Sequence, residues 1–277
     1  MHLQIVSGAP SVTFQAPNKY IFTLPSQYEA GENDQVALKS CRMYYSWWNV
    51  SAAKGNNQFS YRWVDGTVHT VTLQDGIWGY ADFQAYFEQI MRQSGHYLID
   101  GTTPVYYIRF DVNSVFYRIS LTCTPVPATI PAGWTAPAGF VFPATATTPQ
   151  ILVPATNVTS YLGFAAGTYP AVTQPTLFQV NGTIVPQVTD ISSLQLQTNL
   201  TFNEYGPDTR TLATFNVPPG LAPGSIISEV PFYQDWIPVQ PRAKFKTVTL
   251  ELADQNGRKV KIEDPTGFQC ALTIRTR

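Results

Sequence analysis

The sequence predicts an all-β protein: a single jelly-roll β-sandwich with one short helix and long loop insertions. Over most of the 277 residues, apolar and polar side chains alternate with period two, which is typical of strands that bury one face. One stretch, at about 79–94, has the period of a helix instead. The strands number roughly eight to ten, with long loops between them, which fits a double-sheet jelly roll better than an immunoglobulin sandwich.

The predicted helix at about 79–94 has one apolar stripe. The stripe consists of Tyr80, Phe83, Phe87, Ile90 and Met91. This spacing puts the five side chains on one face, while charged and amide side chains occupy the others. Gly95 follows where the C-terminus of a helix favours glycine. The rest of the sequence predicts no comparable second helix.

Two early segments predict long strands. At 12–24 the alternation keeps one phase on both sides of Pro17, which predicts a single strand with a kink or an edge position at the proline. At 36–50 the phase of the apolar residues slips between Leu38 and Cys41. Such a slip indicates a β-bulge, or a strand that is covered on both faces.

Later segments predict hairpins. Asp65-Gly66 and Asn256-Gly257 are both strong signals for tight turns between antiparallel strands. A return strand through 260–262 is expected after the second turn. The alternation at 115–123 predicts another strand, with Val115 as its first inward residue.

The domain prediction is one jelly-roll domain over 1–277, with a Pro/Thr-rich loop insertion at about 124–190. From 124 to 149, proline, alanine, threonine and glycine replace clear alternation, and irregular sequence continues to about 190. Because strand patterns occur on both sides, we interpret this segment as an excursion from one core.

The composition limits the classes of protein that the chain can belong to. Charged residues make up 13% of the sequence, about half the usual ~25%, and aromatic residues also make up 13%. This suits strands and a surface that neighbouring subunits cover. The net charge of −1 predicts no specific nucleic-acid binding. No membrane span and no signal peptide are indicated, so we expect synthesis in a reducing cytoplasm.

No cofactor, no metal and no catalytic residue is predicted, and the chain is not expected to be an enzyme. Nucleotide-binding and serine-hydrolase motifs do not occur, and the three histidines (His2, His69 and His96) lack metal-ligand spacing. Cys41, Cys123 and Cys270 are expected to be buried free thiols. Asp235 and Asp264 could serve glycoside hydrolysis only if the fold sets them at the right separation. The rings at 44, 45, 47 and 48 point to both strand faces, which favours core and subunit contact over a sugar-binding platform.

Several segments, taken in order, resemble the penton (minor capsid) proteins of virophages and Maverick/Polinton-type viruses. The family's stretch "dG-Y-x-x-x-D-L-x-x-Y", which leads into its helix, is similar to LQDGIWGYADFQAYFEQIMRQSGHYL at 73–98. Here Trp78 stands where tyrosine is usual, and Phe83 where leucine is usual. The family's early strand pair resembles ALKSCRMYYSWWNVSAAKGNNQFSYRW at 37–63. Further similar segments are YYIRFDVNSVFYRISL at 106–121, SYLGFAAGTYP at 160–170, DISSLQLQTNL at 190–200 and LELADQNGRKVKIEDP at 250–265.

The resemblance runs from about residue 12 to the end, apart from 124–149. It implies a single jelly-roll protein whose five copies form the penton at each five-fold vertex of an icosahedral capsid. The implied partners are the other copies of a homopentamer, a major capsid protein of the double jelly-roll type, and a host receptor or glycan at the outer loops. The implied location is the virion.

Two other functions stay open from the residues alone. The alternative is a carbohydrate- or receptor-binding β-sandwich module, and an enzyme on the same scaffold is the weakest hypothesis. Jelly rolls host all three functions, so the fold does not distinguish them.

Overall fold

The computed structural model describes residues 1–188, 191–201, 210–218, 220–222 and 224–277. Their contacts separate into two compact units. The first unit is Met1–Trp48 together with Thr189–Arg277, and the second unit is Asn49–Val188. Within the described ranges, no helix is both long enough and apolar enough to cross a membrane.

The described part of the chain is built mainly from short antiparallel strands. In chain order the elements are β1 (His2–Val6), β2 (Val12–Gln15), β3 (Lys19–Glu29), β4 (Asp34–Tyr44), a 3-10 turn (Ala52–Lys54), β5 (Gln58–Arg62), β6 (Val68–Thr72), α1 (Tyr80–Gln93), β7 (Tyr97–Asp100), β8 (Thr103–Tyr106), β9 (Ile108–Asn113), β10 (Arg118–Cys123), β11 (Trp134–Thr135), β12 (Gln150–Val153), α2 (Val158–Leu162), β13 (Gly167–Tyr169), β14 (Phe178–Asn181), β15 (Ser193–Thr198), β16 (Thr211–Asn216), β17 (Ile226–Glu229), β18 (Ile237–Pro238), β19 (Lys244–Asp254) and β20 (Gln269–Thr276).

The first unit is a jelly roll. One of its sheets has the order β1-β20-β4-β17, with β18 also paired to β4, and the other has the order β16-β15-β19-β3-β2. Without the added strands β2 and β18, eight strands remain, and in chain order they fill the two sheets as 1-8-3-6 and 5-4-7-2. This alternation between two four-stranded antiparallel sheets is the jelly-roll topology. The predicted fold class is confirmed.

The inner faces of the two sheets share one core. Leu3, Val36 and Leu272 belong to the first sheet, and Leu194 and Leu250 to the second, and all five are buried in the same cluster. Cross-strand rows of Leu, Val and Ile fill such a space with few polar atoms, so burial of apolar area is the main stabilising term.

A β-bulge in β4 explains the slip of phase at 36–50. Ala271 lies opposite Ser40 but Leu272 lies opposite Leu38, so Lys39 is the extra residue. Lys39 is exposed, and the inward phase moves from Leu38 to Cys41. The predicted bulge is confirmed, whereas the strand ends at Tyr44 and not at 50.

The second unit contains three small antiparallel sheets around α1. The sheets have the orders β14-β10-β9, β11-β7-β8 and β13-β12-β5-β6. Helix α1 buries Phe83, Phe87 and Met91, as its apolar stripe predicts. The ring of Phe83 packs 5.5 Å from that of Phe59 and 5.2 Å from that of Phe110, measured between centroids. The helix ends before Gly95, whose φ of +73° is the left-handed conformation that glycine tolerates best.

Four expectations about elements need correction. The segment at 12–24 is a hairpin of β2 and β3 and not one kinked strand. Residues 114–117 form a turn, so the strand begins at Arg118 and Val115 is exposed. After the turn at Asn256-Gly257 the chain makes only a bridge, from Lys259 to Ala253, although Val260 and Ile262 are buried as predicted. Helix α2, with five residues, is too short to show a period in the sequence.

The domain prediction concerns the whole chain. The predicted insertion at 124–190 covers the C-terminal part of the second unit, which begins at Asn49. The division into one domain with that insertion stays a prediction. The predicted eight to ten strands for the whole chain are too few, because the described residues form 20 strands, of which eight make up the two four-stranded sheets of the jelly roll.

Candidate functional surfaces

The aromatic segment at 44–48 belongs mainly to the core. Tyr45 and Trp47 are buried, and their ring centroids lie 4.6 Å apart. Tyr44 and Trp48 are half-buried. Lys261 Nζ lies 4.3 Å from the centroid of the Trp48 ring, so a cation covers one face of that ring. This burial favours the core interpretation over a sugar-binding platform.

A second aromatic cluster in the second unit contains two histidines that the sequence does not associate. Strand β5 directs Tyr61 inward, and the turn at Asp65-Gly66 brings β6 back so that His69 lies opposite Tyr61. His96 follows the end of α1, where its backbone N–H donates to the carbonyl of Met91 at 2.8 Å. The ring centroids of His69 and His96 lie 4.6 Å apart.

Packing keeps His96 neutral. Its ring stacks on the indole of Trp63, with 4.3 Å between centroids, and its Nδ1 lies 2.8 Å from the hydroxyl oxygen of Tyr61. Burial, together with the nearby His69, lowers the pKa of His96 to about 4, although Asp65 opposes the shift. A neutral imidazole that is only 8% exposed is suited to packing and offers no route to a substrate.

Asp264, one of the two carboxylates considered for glycoside hydrolysis, is held by hydrogen bonds within its own loop. Asp264 accepts hydrogen bonds from the backbone N–H and the hydroxyl of Thr266, at 2.9 and 2.6 Å, and these bonds lower the pKa of its carboxyl group. A general acid needs the opposite shift. In the described ranges, no three side chains among His, Cys, Asp and Glu gather in a way that could hold a metal ion. His2 is exposed and bonds to Thr273.

The features that stand out on the surface are two groups of exposed aromatic residues. The tip patch consists of Val112, Val115, Phe116 and Tyr117 at the turn between β9 and β10. The loop patch consists of Val230, Phe232 and Tyr233, directly after β17. All seven side chains are exposed, with Phe232 at 90% and Tyr117 at 76%.

The tip patch is held by a tight turn with an unusual backbone. The side chain of Asn113 accepts a hydrogen bond from the backbone N–H of Phe116. Tyr117 has φ of +51°, in the left-handed region that glycine or asparagine occupies more easily. For a bulky residue this conformation costs about 1 kcal/mol or more. The exposed tyrosine therefore sits at a position that the backbone alone would assign to a smaller residue.

The loop patch extends an edge of the jelly roll. In the described part of the chain, β17 pairs with β4 on one side only and is an edge of its sheet. The rings of Phe232 and Tyr233 pack edge-to-face on each other at 4.7 Å. Charged side chains lie beside both patches in the sequence: Asp111 and Arg118 beside the tip patch, and Glu229 and Asp235 beside the loop patch. Exposed apolar groups with a charged rim are typical of protein interfaces.

Sequence reasoning did not single out either patch. The alternation of the strand at 118–123 extends back through 115–117 in the sequence, although residues 114–117 form a turn in the structure. At 230–233 a valine, a proline and two aromatics carry no periodic signal. The residues next to Tyr117 in the sequence do not indicate a left-handed backbone, so the sequence could not have predicted this conformation.

No protein-family model matches the chain, and no curated protein matches it. Among solved structures, the crystal structure of the mavirus penton protein is similar over 100% of this chain and 99% of that one, with 9% sequence identity and a TM-score of 0.48. A chain in the cryo-EM structure of the Sputnik virophage is similar over 100% of this chain and 97% of that one, with 13% identity and a TM-score of 0.40. At these values the functional proposal rests on the chain's own residues.

Proposed function

We propose that this chain is a structural virion protein that forms the pentameric penton at the five-fold vertices of an icosahedral capsid. The observation that carries the proposal is the pair of exposed apolar patches, the loop patch on the jelly roll and the tip patch on the second unit. Exposed apolar patches of this kind are typical of surfaces that a partner covers. The sequence resemblance to virophage and Maverick/Polinton-type penton proteins supports the same function.

A closed ring requires two different contact faces on each copy. In a heterologous contact, one surface of a subunit meets a different surface of the next, and the ring closes when the rotation allows it. The tip patch and the loop patch are different surfaces, and Arg118 next to the tip patch is opposite in charge to Glu229 and Asp235 next to the loop patch. We infer that the tip patch of one copy, with Arg118, packs on the loop patch of the next, with Glu229 and Asp235.

The further partners belong to the same proposal. A major capsid protein of the double jelly-roll type would surround each ring, and outer loops would face a host receptor or glycan. The location would be the virion, after synthesis in the host cytoplasm. No catalytic step is part of this function, because recognition and shape are enough for a vertex protein.

The test is the mass of the purified chain by light scattering over a range of concentration and salt. The proposal predicts a species near five times 30.7 kDa. Tyr117→Gly and Phe232→Ser should shift the equilibrium to smaller species. Val172→Ser, which changes an exposed apolar residue outside both patches, is the matched control. A wild-type chain that stays monomeric, also with the capsid partner, contradicts the proposal. Binding of a glycan array by that monomer would support the carbohydrate-binding alternative.

A further inference from the structure

Two of the three cysteines face each other across neighbouring strands. Cys41 on β4 and Cys270 on β20 are register partners in the antiparallel pair. Their side chains therefore lie on the same face of the sheet, and both are about 1% exposed in the core of the first unit. The third cysteine, Cys123, is equally buried but lies in the core of the second unit.

The register gives a spacing that a disulfide can span. Directly opposed residues in antiparallel strands have Cα atoms about 4.5 or 5.5 Å apart, depending on the type of pair. Disulfides join Cα atoms at about 4.4–6.8 Å, so either pair type satisfies the requirement. The bulge at Lys39, two residues from Cys41, allows small local adjustments of the strand.

Both cysteines are free thiols in this structure. We propose that Cys41 and Cys270 are an oxidisable pair that forms a cross-strand disulfide between β4 and β20 when the protein meets an oxidising environment. The oxidant is a small-molecule disulfide. The Cys41 thiolate attacks it, gives a mixed disulfide and releases one thiol. The Cys270 thiolate then attacks the Cys41 sulfur and releases the second thiol. Two protein S–H bonds are replaced by one S–S bond, two protons leave the protein's thiols, and the oxidant is reduced to two thiols.

Burial makes this reaction slow rather than unfavourable. Burial and the neighbouring Cys41 raise the pKa of Cys270 well above its ordinary value, so little thiolate is present in the closed sheet. The exchange therefore proceeds when β20 separates transiently from β4. A reducing cytoplasm keeps such a pair as thiols, whereas an extracellular environment lets the disulfide persist. If the chain is a virion protein as proposed, the disulfide would then lock the C-terminal strand of the jelly roll after the virion leaves the cell.

The experiment uses the folded full-length chain in buffers of oxidised and reduced glutathione. After incubation, free thiols are alkylated in denaturant, and intact mass together with non-reducing peptide mapping identifies the linked cysteines. The expected result is one alkylated thiol, at Cys123, and a cross-linked peptide that joins Cys41 to Cys270. The thermal midpoint should rise by several degrees and return to its initial value on reduction.

Variants and a denatured control make the result decisive. Cys123→Ser should behave as the wild type, whereas Cys41→Ser and Cys270→Ser should show neither the cross-link nor the thermal shift. In the denatured chain, loop closure favours the pairing of Cys41 with Cys123 over that with Cys270 by about five-fold, because the loop is shorter. A Cys41–Cys270 bond therefore reports the native register.

Two outcomes would overturn the proposal. One is that three alkylated thiols remain under conditions that oxidise the denatured chain. The other is that Cys123 is consumed as fast as the facing pair. The result is independent of the proposed function, since bond formation is measured on the isolated chain, whatever its oligomeric state.

Discussion

Stability of the second unit should fall as the pH drops from 6.5 to 4, because its fold requires a neutral His96. The unfolded chain binds a proton at His96 near the ordinary pKa of 6.5, whereas the folded chain binds it only near 4. Between these values the unfolded state carries more protons, so the free energy of unfolding decreases as the pH falls. This difference in proton binding lowers the free energy of unfolding by about 2 kcal/mol at pH 5 and by about 3 kcal/mol at pH 4, relative to pH 8.

The titration of His96 can be separated from that of the carboxyl groups by the pH range in which each changes the free energy of unfolding. His69, Asp65 and the hydroxyl of Tyr61 face the imidazole of His96. Burial is the main cause of the lowered pKa of His96. The carboxyl groups of Asp34, Asp65 and Asp264 also have lowered pKa values. The stability that these three carboxylates contribute is fully present above about pH 3.8, their ordinary pKa. It is lost only at lower pH, as the pH falls through their folded pKa values. The window from 6.5 to 4 therefore reports His96.

The assay is denaturant unfolding at a series of pH values, with an NMR titration of the His96 ring. In His96→Gln the side chain is uncharged at every pH and still offers Tyr61 a polar partner, so the loss between pH 6.5 and 4 should disappear. His2→Gln, at an exposed position, should leave it unchanged. The reasoning is refuted if His96 titrates near 6.5 in the folded protein, or if His96→Gln loses as much stability as the wild type.

Three further predictions concern single positions. Tyr117→Gly should leave the free energy of unfolding of the isolated chain unchanged or raise it by about 1 kcal/mol, because glycine accepts φ of +51° without strain, while light scattering shows loss of assembly. A lower stability would mean that the tyrosine serves the fold. Asp235→Lys should weaken assembly and Arg118→Glu should partly restore it in the double variant, with no restoration if the two patches do not meet. Gly267→Ala should lower the thermal midpoint of the jelly roll, because a methyl group there would overlap the ring of Tyr44; an unchanged midpoint contradicts this packing.

Periodicity in the sequence predicted the elements that bury one face. The stripe of α1 follows the residues read from the sequence, since burial and period have the same cause there. The slip at Leu38 and Cys41 even located the bulge. A bulge moves side chains from one face to the other, so it leaves a trace in the alternation itself.

Other features leave no such trace. Alternation at 115–117 predicted a strand, but these residues form an exposed turn. Period two does not distinguish a strand from a short hairpin loop with apolar residues. His69 and His96 are far apart in the sequence, and only the pairing of β5 with β6 and the end of α1 bring their rings together. The facing of Cys41 and Cys270 likewise depends on the register of β4 and β20, which join distant parts of the chain. Long-range register is set by the whole core and not by local spacing.

The prediction of a function in assembly came from the resemblance of several sequence segments to penton proteins. That expectation stays a prediction, since a structural protein is defined by its partners and not by a site. The exposed residues at 115–117 and 230–233 now give the expectation named surfaces that can be altered one at a time. Their burial in an assembly would also account for a sequence with 13% charged and 13% aromatic residues.

The central claim is that this chain occupies the five-fold vertices of a capsid. The most direct measurement is a cryo-EM reconstruction of particles assembled from this chain and the double jelly-roll major capsid protein of the same virus. The account predicts five copies of the jelly roll at each vertex, with the tip patch and the loop patch buried between neighbouring copies. Particles whose vertices lack this chain, or that bind it only at other positions, would contradict it.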